Sequence, residues 1–435
     1  MKILLITHSY TPDLTPRAFR WAALAQQFAS AGHEVHILCA AAVGTKPNEE
    51  VAGIMVHRVG DALLDASARV TPGATTAGLT RTGGGWRQAL RAKLRKTARW
   101  IWRITYWPDY ACGWILPATK KARAACKTHR YDWIVSVSHP FSGHVVGWLT
   151  HKHAHGARWF VDIGDPFCLM EEPAPNNRRL FARLNRWAED RILSLADAIS
   201  VTTESTQRLY ESHFPQSRGK LHLMPPLLSL PALPVDLPRQ AREVVRLVFV
   251  GTLYRQLRSP VFLLQTFAAL AAAMPNSTLE LHFYGAVNDC GNELAAAPDS
   301  VRSRVFVHGV VDRAAVHVAM LDADILVNIG NDSASQLASK VIEYMAVGRP
   351  ILNIISSPAD TSLTALSDYP ATLTLVRSIA PTGTDLASLR TFIESLPQVH
   401  PDTVARVRDR YSAAHIAGLY RAALEQPHVG KEHGR

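Results

Sequence analysis

Two charged side chains, Lys340 and Glu343, have the types and the spacing that could bind a nucleotide. Residues three apart lie on the same face of a helix. On such a face, a lysine ammonium can hold a phosphate, and a carboxylate can accept hydrogen bonds from the hydroxyls of a ribose. The pair therefore predicts a nucleotide site, and the alternative is a surface ion pair between the two residues themselves.

The sequence around this pair predicts the elements that would position it. The apolar segment 323–329 is predicted to be a strand, and 330–333 the loop that follows it. A helix should begin near Ser335 or Ser339, which are good N-caps, and end at Gly348. In a doubly wound sheet, ligands bind at the carboxyl ends of the strands, and a helix N-terminus there suits a diphosphate.

The stretch from Lys340 to Ile351 has the form Lys-x-x-Glu-Tyr-Met-Ala-x-Gly-x-Pro-Ile. It resembles the donor-binding signature of the family 4 retaining glycosyltransferases. The resemblance implies an α/β protein with two Rossmann-like domains facing a cleft, which is the GT-B architecture. It also implies that Glu343 binds the nucleotide ribose. The family usually has a second glutamate eight residues earlier, in contact with the donor sugar, where this chain has Ser335.

The composition is that of a globular protein with an anionic partner. A chain of 435 residues is long enough for two domains, and 47% hydrophobic with 19% charged residues excludes a disordered protein. An uninterrupted apolar run of about 18 residues is absent, so a spanning helix is not expected. The five cysteines are scattered without Cys-x-x-Cys spacing, so neither a zinc site nor a disulfide framework is predicted. The net charge of +11 favours a partner such as a nucleic acid, a lipid surface or a phosphorylated substrate.

The amino-terminal half begins with the pattern of a Rossmann-type domain. The predicted elements are strands at 2–7, 34–39 and 51–59 and a helix at 17–31. The first loop contains Thr15 and Pro16, whereas a dinucleotide-binding fingerprint would have Gly-x-Gly-x-x-Gly. This difference disfavours an NAD-dependent enzyme.

The segment from Trp86 to Trp107 is basic, rich in tryptophan and free of acidic residues. Its apolar residues recur at roughly helical spacing, which is typical of an amphipathic helix lying on an anionic membrane. The residues expected to contact lipid are Trp86, Arg91, Lys93, Arg95, Lys96, Trp100 and Trp102. One alternative is a helix packed on its domain with a solvated basic face. Nucleic-acid binding is the other, but no RNA- or DNA-binding motif accompanies the segment.

The stretch from Pro108 to Phe167 resembles a branch of family 4 used for bacterial surface polysaccharides. The patterns of that branch are Pro-Asp…Trp, Ser-x-Pro-Pro-x-Ser-x-His and Asp-x-Arg-Asp-Pro. This chain has Ser-His-Pro-Phe-Ser-Gly-His at 138–144 for the second, and Gly164 in place of the arginine of the third. The resemblance implies that His139 faces the donor sugar, and a structural role at the end of a strand is the alternative. His144 is the second choice for that role. Asp165 is interpreted either as an acceptor-side carboxylate or as a residue that fixes its loop.

The loop after the first strand of the carboxyl-terminal half contains Gly251, Arg255 and Arg258. By the same resemblance, this loop should carry a cation for the donor diphosphate, usually a lysine. The two arginines can replace it because a guanidinium can hold a phosphate through two parallel hydrogen bonds. Arg258 lies nearest the expected position. With Gly251 and Ser335, these residues complete the predicted nucleotide-sugar site.

The predicted organisation is an amino-terminal, acceptor-side domain, a proline-rich linker, a nucleotide-sugar-binding domain and a final helix. Their bounds are 1–226, 227–244, 245–405 and 406–435. Alternating strands and helices in both halves predict parallel sheets. The resemblance implies that the last helix crosses back to the first domain.

The predicted function is that of a glycosyltransferase which takes a sugar from a UDP- or GDP-linked donor. The acceptor would be lipid-linked, or another saccharide, in the synthesis of a surface polysaccharide or glycolipid. The resemblance implies retention of configuration, no required metal and no cofactor besides the donor. The expected location is the cytoplasm, at the inner face of the membrane. The alternatives are a sugar-nucleotide 2-epimerase of the same fold and a non-catalytic sugar-nucleotide-binding partner protein.

Overall fold

The structure is a computed structural model that describes residues 1–13, 15–61, 105–170, 174–228, 244–331 and 340–426. The chain forms two compact units. The first contains Met1–Pro225 and the segment from Ile416, and the second is Pro226–His415. Ser335 and the predicted lipid-contacting residues lie outside the described part of the chain, and so does most of the predicted linker.

The first unit is built on an eight-stranded sheet in the order β3-β4-β2-β1-β5-β6-β7-β8. The strands are β1 Lys2–Ile6, β2 Glu34–Ala40, β3 Asn48–Val51, β4 Ile54–Val59, β5 Trp133–Val137, β6 Arg158–Asp162, β7 Ala198–Val201 and β8 Leu221–Leu223. All pairings are parallel except that of β3 with β4. Strands β1, β5 and β7 are almost entirely apolar because both faces of a parallel sheet are buried.

Helices cover this sheet and close its hydrophobic core. They are α1 Pro16–Ser30, α2 Ile115–Thr128, α3 Ser142–His151, α4 Arg178–Leu195 and α5 Glu204–His213. Helix α1 begins as its sequence predicts, because Pro16 occupies the first turn and the Thr15 side chain accepts a hydrogen bond from the Ala18 N–H. Trp114, Trp159 and Tyr210 are among the largest fully buried side chains of this unit.

The second unit has a six-stranded, fully parallel sheet in the order β11-β10-β9-β12-β13-β14. The strands are β9 Val244–Val250, β10 Thr278–Tyr284, β11 Val305–Gly309, β12 Ile325–Ile329, β13 Ile351–Ile355 and β14 Thr372–Val376. The helices are α6 Val261–Ala273, α7 Gly291–Ala295, α8 Arg313–Asp322, α9 Lys340–Val347, α10 Thr361–Leu366, α11 Gly383–Ser395 and α12 Pro401–Arg410. The last helix, α13 Ala413–Glu425, belongs to the first unit from Ile416 onward. Counted in chain order, this strand order is 3-2-1-4-5-6, as in doubly wound nucleotide-binding folds.

Two predicted elements are wrong in detail. The predicted strand 51–59 begins only at Ile54, as β4, because Ala52 and Gly53 take positive φ angles and reverse the chain between β3 and β4. The predicted final helix from 406 onward is two helices, α12 and α13, and the second is capped by Ser412, whose hydroxyl accepts from the His415 N–H. Within the described residues, no helix has the length and apolar character needed to cross a bilayer.

Candidate active site

The second unit has its topological switch point between β9 and β12, and ligands of such sheets bind outside the carboxyl ends of these strands. Arg258 follows β9 and Asn331 follows β12. The Nε atom of Arg258 donates to Oδ1 of Asn331 over 2.7 Å, so the two strand ends are joined across the switch point. Burial lowers the pKa of Arg258, but a guanidinium keeps its charge at neutral pH. The arrangement holds one cation where an anionic ligand would bind.

Two glycines allow the backbone to pass closely beside this position. Gly285, at the end of β10, has a φ of +126°, and a Cβ there would lie 2.0 Å from the carbonyl oxygen of Gly251. A Cβ on Gly251 would lie 3.2 Å from the Phe249 ring and 3.9 Å from the Arg258 guanidinium. The predicted Gly251 therefore serves close packing of two loops beside Arg258.

Helix α9 carries the predicted pair and is fixed to the end of β9. The Tyr344 hydroxyl accepts from the Val250 N–H over 2.8 Å and donates to the Val250 carbonyl over 3.1 Å. Lys340 and Glu343 form an ion pair of 2.6 Å, in which Glu343 is almost buried. The two residues pair with each other, as in the alternative interpretation, but Glu343 is buried and not at the surface. Their binding of a nucleotide stays a prediction.

His317 of α8 is a neighbour of this pair that the sequence did not indicate. It is buried, and its Nε2 atom has no hydrogen-bond partner among the described residues. Burial lowers the pKa of His317, while the charge of Glu343 opposes that shift. A buried histidine on a mainly apolar helix gives no distinct signal in a single sequence.

The second predicted cation, Arg255, has acidic neighbours of its own. Its guanidinium forms an ion pair of 2.5 Å with Glu293 and donates to the Asp289 carbonyl. Its side chain is about half exposed. Arg255 also lines an open cleft of about 500 Å³ together with Ser259 and Arg377. The two predicted arginines therefore have different surroundings, and Arg258 is the one at the switch point.

In the first unit, the corresponding switch point lies between β1 and β5, and aromatic and imidazole rings surround it. His139 follows β5, and its ring centroid is 6.4 Å from that of Tyr110. Tyr110 also contacts His8, which follows β1, at 5.8 Å. Burial lowers the pKa of His8, with Asp109 opposing that shift. The predicted His139 therefore has a second histidine nearby.

Asp109 explains why the Pro-Asp and Ser-x-His patterns occur together. Its carboxylate accepts from the backbone N–H and the hydroxyl of Ser142, at 2.9 and 2.7 Å, and from the Ala111 N–H. Ser142 is the first residue of α3. The buried carboxylate thus ties the loop that contains Tyr110 to the loop that contains His139.

Gly164 has a direct steric reason for replacing the arginine of the related pattern. A Cβ at this position would lie 1.5 Å from the Nη2 atom of Arg17, so the Arg17 guanidinium fills the space. Arg17 also pairs with Asp162 at 3.1 Å. A larger side chain at 164 would displace Arg17 from this buried carboxylate.

Asp165 borders a cavity with a volume of only about 10 Å³. That is room for about one water and not for a sugar. The loop beyond it is held by the buried Glu189, which accepts from the N–H groups of Phe167 and Cys168. His144 lines the same cavity, and burial lowers its pKa to about 3.

Comparison with known proteins agrees with this geometry. Residues 18–226 match the model of the glycosyl transferase 4-like domain, and residues 244–360 match that of the glycosyl transferases group 1. The chain belongs to the glycosyltransferases. Its two Rossmann-like units confirm the predicted α/β fold class. No curated protein sequence matches the chain.

Solved structures similar to this glycosyltransferase share its fold at low sequence identity. The lipopolysaccharide outer core galactosyltransferase WaaB has a TM-score of 0.56 and 12% identity, with 98% of this chain and 99% of that chain covered. A glycosyltransferase from Rickettsia africae has a TM-score of 0.59 and 8% identity, with the same coverage. WaaG, a glycosyltransferase involved in lipopolysaccharide biosynthesis, has a TM-score of 0.53 and 14% identity, covering 97% and 98%.

Proposed function

We propose that this glycosyltransferase moves a sugar from a UDP- or GDP-linked donor to a lipid-linked acceptor. The observation that carries the donor assignment is the switch point of the second unit. There, Arg258 and Asn331 join the ends of β9 and β12, beside the helix that carries Lys340 and Glu343. Arg258 and Lys340 would bind the diphosphate, and Glu343 would bind the ribose.

The chemistry follows from the placement of positive charge. As the glycosidic bond to the donor breaks, negative charge grows on the departing nucleoside diphosphate. Cations fixed before the reaction stabilise this charge without reorganising. The proposed reaction retains the configuration of the sugar and uses arginine and lysine in place of a metal ion. His139 would face the donor sugar, and Asp165 would act in the first unit, on the acceptor side.

A surface polysaccharide or glycolipid is the product we propose. Two of the similar structures are linked to lipopolysaccharide, since WaaB is a lipopolysaccharide outer core galactosyltransferase and WaaG is involved in lipopolysaccharide biosynthesis. A lipid-linked acceptor would be met at a membrane, and the basic segment from Trp86 to Trp107 has the composition for binding there. The proposed location is the cytoplasmic face of that membrane.

The test is transfer itself. The full chain is incubated with UDP- and GDP-sugars and with lipid-linked acceptors, and both the released nucleoside diphosphate and the extended lipid are measured. We expect release that depends on the acceptor. Conversion of the donor to its 2-epimer would favour the epimerase alternative. Release without any extended lipid would mean that the lipid is not the acceptor. Binding of the donor without any turnover would favour a non-catalytic partner.

A matched pair of variants locates the donor site. Arg258→Gln should abolish most of the acceptor-dependent release, because it removes the cation at the switch point. Arg255→Gln should have a much smaller effect, because that guanidinium is already paired with Glu293. Equal losses in both variants would contradict the assignment of Arg258.

A further inference from the structure

Helix α4, Arg178–Leu195, presents apolar side chains to solvent as well as to the core. Its buried face is formed by Asn185, Ala188, Glu189, Ile192 and Leu193. On the opposite face, Leu180, Leu184 and Trp187 are 62%, 37% and 54% exposed. These three residues are spaced i, i+4 and i+7, so they form a continuous apolar stripe along the helix.

Arginines surround this stripe. Five of the eighteen residues of α4 are arginine, and all five are exposed: Arg178, Arg179, Arg183, Arg186 and Arg191. Of the two acidic residues, Glu189 is buried in the core, which leaves Asp190 as the exposed one. An exposed apolar stripe flanked by cations is unfavourable in water alone and matches the interface of an anionic bilayer.

Helix α4 also contacts the end of the basic segment that the sequence singles out, through its buried face. Trp107, the last residue of that segment, donates its indole N–H to Oδ1 of Asn185 on α4, over 2.9 Å. Asn185 in turn exchanges amide hydrogen bonds with Asn176, and Asn176 donates to the Pro108 carbonyl. This buried network ties the end of the segment to the middle of α4.

We propose that the exposed face of α4 docks on anionic phospholipid. Leu180, Leu184 and Trp187 would enter the headgroup region, while Arg179, Arg183 and Arg191 bind lipid phosphates. The inference rests on the proposed function, since it concerns how this transferase meets a lipid-linked acceptor. It assigns that contact to a helix whose side chains the structure describes, in addition to the segment ending at Trp107.

The experiment measures sedimentation of the full chain with vesicles of phosphatidylcholine and phosphatidylglycerol, and with vesicles of phosphatidylcholine alone. The test variant, Leu180→Gln/Leu184→Gln/Trp187→Gln, removes the apolar stripe and leaves every charge. The matched control changes three exposed apolar residues of the second unit, Val310→Gln/Val318→Gln/Ile379→Gln. We expect the test variant to bind anionic vesicles at least tenfold more weakly, and the control to bind like the wild type.

A second variant, Arg179→Gln/Arg183→Gln/Arg191→Gln, separates the two contributions. Each lost arginine should weaken binding by about fivefold, since one basic residue near an anionic surface contributes about 1 kcal/mol. This loss should shrink as salt is raised, whereas the loss caused by the stripe variant should persist. Trp187→Phe should bind vesicles as the wild type does. With brominated lipid, which quenches tryptophan fluorescence on contact, this variant should show less quenching than the wild type.

Three results would overturn the inference. The stripe variant could bind anionic vesicles as tightly as the wild type. Without lipid, the wild type could be a dimer and the stripe variant a monomer, in which case a second copy covers the stripe. The stripe variant could also lose thermal stability while its folded fraction keeps full lipid binding, which would mean that the chain itself covers the stripe. Turnover of a soluble acceptor, measured on the same variants, tests the proposed function separately.

Discussion

The ion pair between Lys340 and Glu343 limits what each of these residues can do alone. The charged groups are 2.6 Å apart, and only 9% of the Glu343 side chain is exposed. Removing Lys340 would leave the Glu343 carboxylate largely desolvated and unpaired, which costs more than breaking an exposed pair. A bound nucleotide would contact the same two charged groups. The nucleotide affinity and the free energy of unfolding must therefore be measured on the same variants.

We expect Glu343→Gln to weaken nucleotide binding by about 10- to 100-fold, because a hydrogen bond to a charged group contributes about 1.5–3 kcal/mol. Lys340→Met should also weaken it, through the loss of a phosphate contact. Calorimetric titration with UDP and GDP measures the affinities, and thermal unfolding of the same samples reports the cost of breaking the pair. Lower unfolding temperatures with unchanged affinities would show that the pair serves only to hold the helix.

His144 gives a prediction of pH dependence. Burial lowers its pKa from 6.5 to about 3, so the folded chain keeps it neutral where the unfolded chain protonates it. Its contribution to stability is therefore complete above about pH 6.5. Below that pH, the free energy of unfolding falls by up to about 1.4 kcal/mol per pH unit until the pH approaches 3.

The substitution His144→Gln removes this titration. The variant should be less stable than the wild type at pH 7, and the difference should narrow as the pH is lowered from 7 to 4. Thermal unfolding temperatures across that range provide the measurement. His153→Gln, at an exposed position just beyond α3, is the control and should follow the wild type. A constant difference between His144→Gln and the wild type would contradict the argument.

Single residues differ in how far the sequence could predict them. Local spacing and helix periodicity were enough to predict that Lys340 and Glu343 share a helix face. The partner of Arg258 was not predictable, because Asn331 is 73 positions away and meets it only through the order of β9 and β12. The same reason applies to Arg17, whose guanidinium takes the space beside Gly164.

At the scale of elements, the loops that follow β9 and β10 approach each other so closely that Gly285 has no room for a side chain. Gly285→Ala would force a Cβ to within 2.0 Å of the Gly251 carbonyl oxygen, at a φ of +126°. We expect this variant to lose nucleotide binding and about 1–3 kcal/mol of stability or more.

Gly309→Ala is its matched control, since φ is +69° there and nothing lies within 4 Å of the added Cβ. This change should cost only about 1 kcal/mol of stability and leave the nucleotide affinity unchanged. Titration calorimetry and denaturant unfolding of both variants test the comparison. Similar affinities in the two variants would mean that the close approach does not matter for binding.

The final helix, α13, is held to the first unit by a buried hydrogen-bond network. The Tyr420 hydroxyl donates to Asp162 over 2.6 Å and accepts from Arg20 over 3.2 Å. Burial alone would raise the pKa of Asp162, but the nearby arginines and hydrogen bonds outweigh it and keep that pKa below its ordinary value. The helix therefore depends on a carboxylate that stays charged.

We expect Tyr420→Phe to lower the free energy of unfolding by about 1–3 kcal/mol, because it leaves Asp162 and Arg20 each short of a buried partner. Tyr254→Phe, at an exposed position, should change stability by less than about 0.5 kcal/mol. Denaturant unfolding followed by fluorescence gives both values. If Tyr420→Phe were as stable as the control, the network would not be what holds α13.

The elements show where local patterns mislead. The segment 51–59 was predicted as one strand, but Ala52 and Gly53 reverse the chain and the strand begins at Ile54. Continuous helix-forming composition from 406 onward likewise hid the break at Ser412, where a side chain caps a new helix. In both places, the local conformation depends on packing against other parts of the chain, which the local sequence does not reveal.

At the scale of the whole molecule, alternating strands and helices were enough to predict parallel sheets in both halves. The order of the strands in each sheet was not available from periodicity, because strand pairing joins residues far apart in the chain. The order supplies the switch points, and those positions bring His8 near His139 and Arg258 near Asn331. Most of the candidate site is therefore a consequence of topology.

The net charge of +11 is a property of the whole molecule that attracts anionic surfaces, and the basic segment that ends at Trp107 contributes to it. That segment lies almost entirely outside the described residues, so its lipid binding stays a prediction. Arg91→Gln/Lys93→Gln/Arg95→Gln/Lys96→Gln should abolish sedimentation with anionic vesicles, since each basic residue near the surface contributes about 1 kcal/mol.

The control removes the same charge from the second unit, through Arg302→Gln/Arg313→Gln/Arg390→Gln/Arg410→Gln. If only net charge mattered, both quadruple variants would lose binding equally. If the position of the charge matters, the control variant still binds anionic vesicles, and its binding still weakens as salt is raised. The segment variant loses vesicle binding but keeps its turnover of a soluble acceptor. Undiminished sedimentation of the segment variant, or none in the wild type at low salt, would show that this segment does not bind membranes.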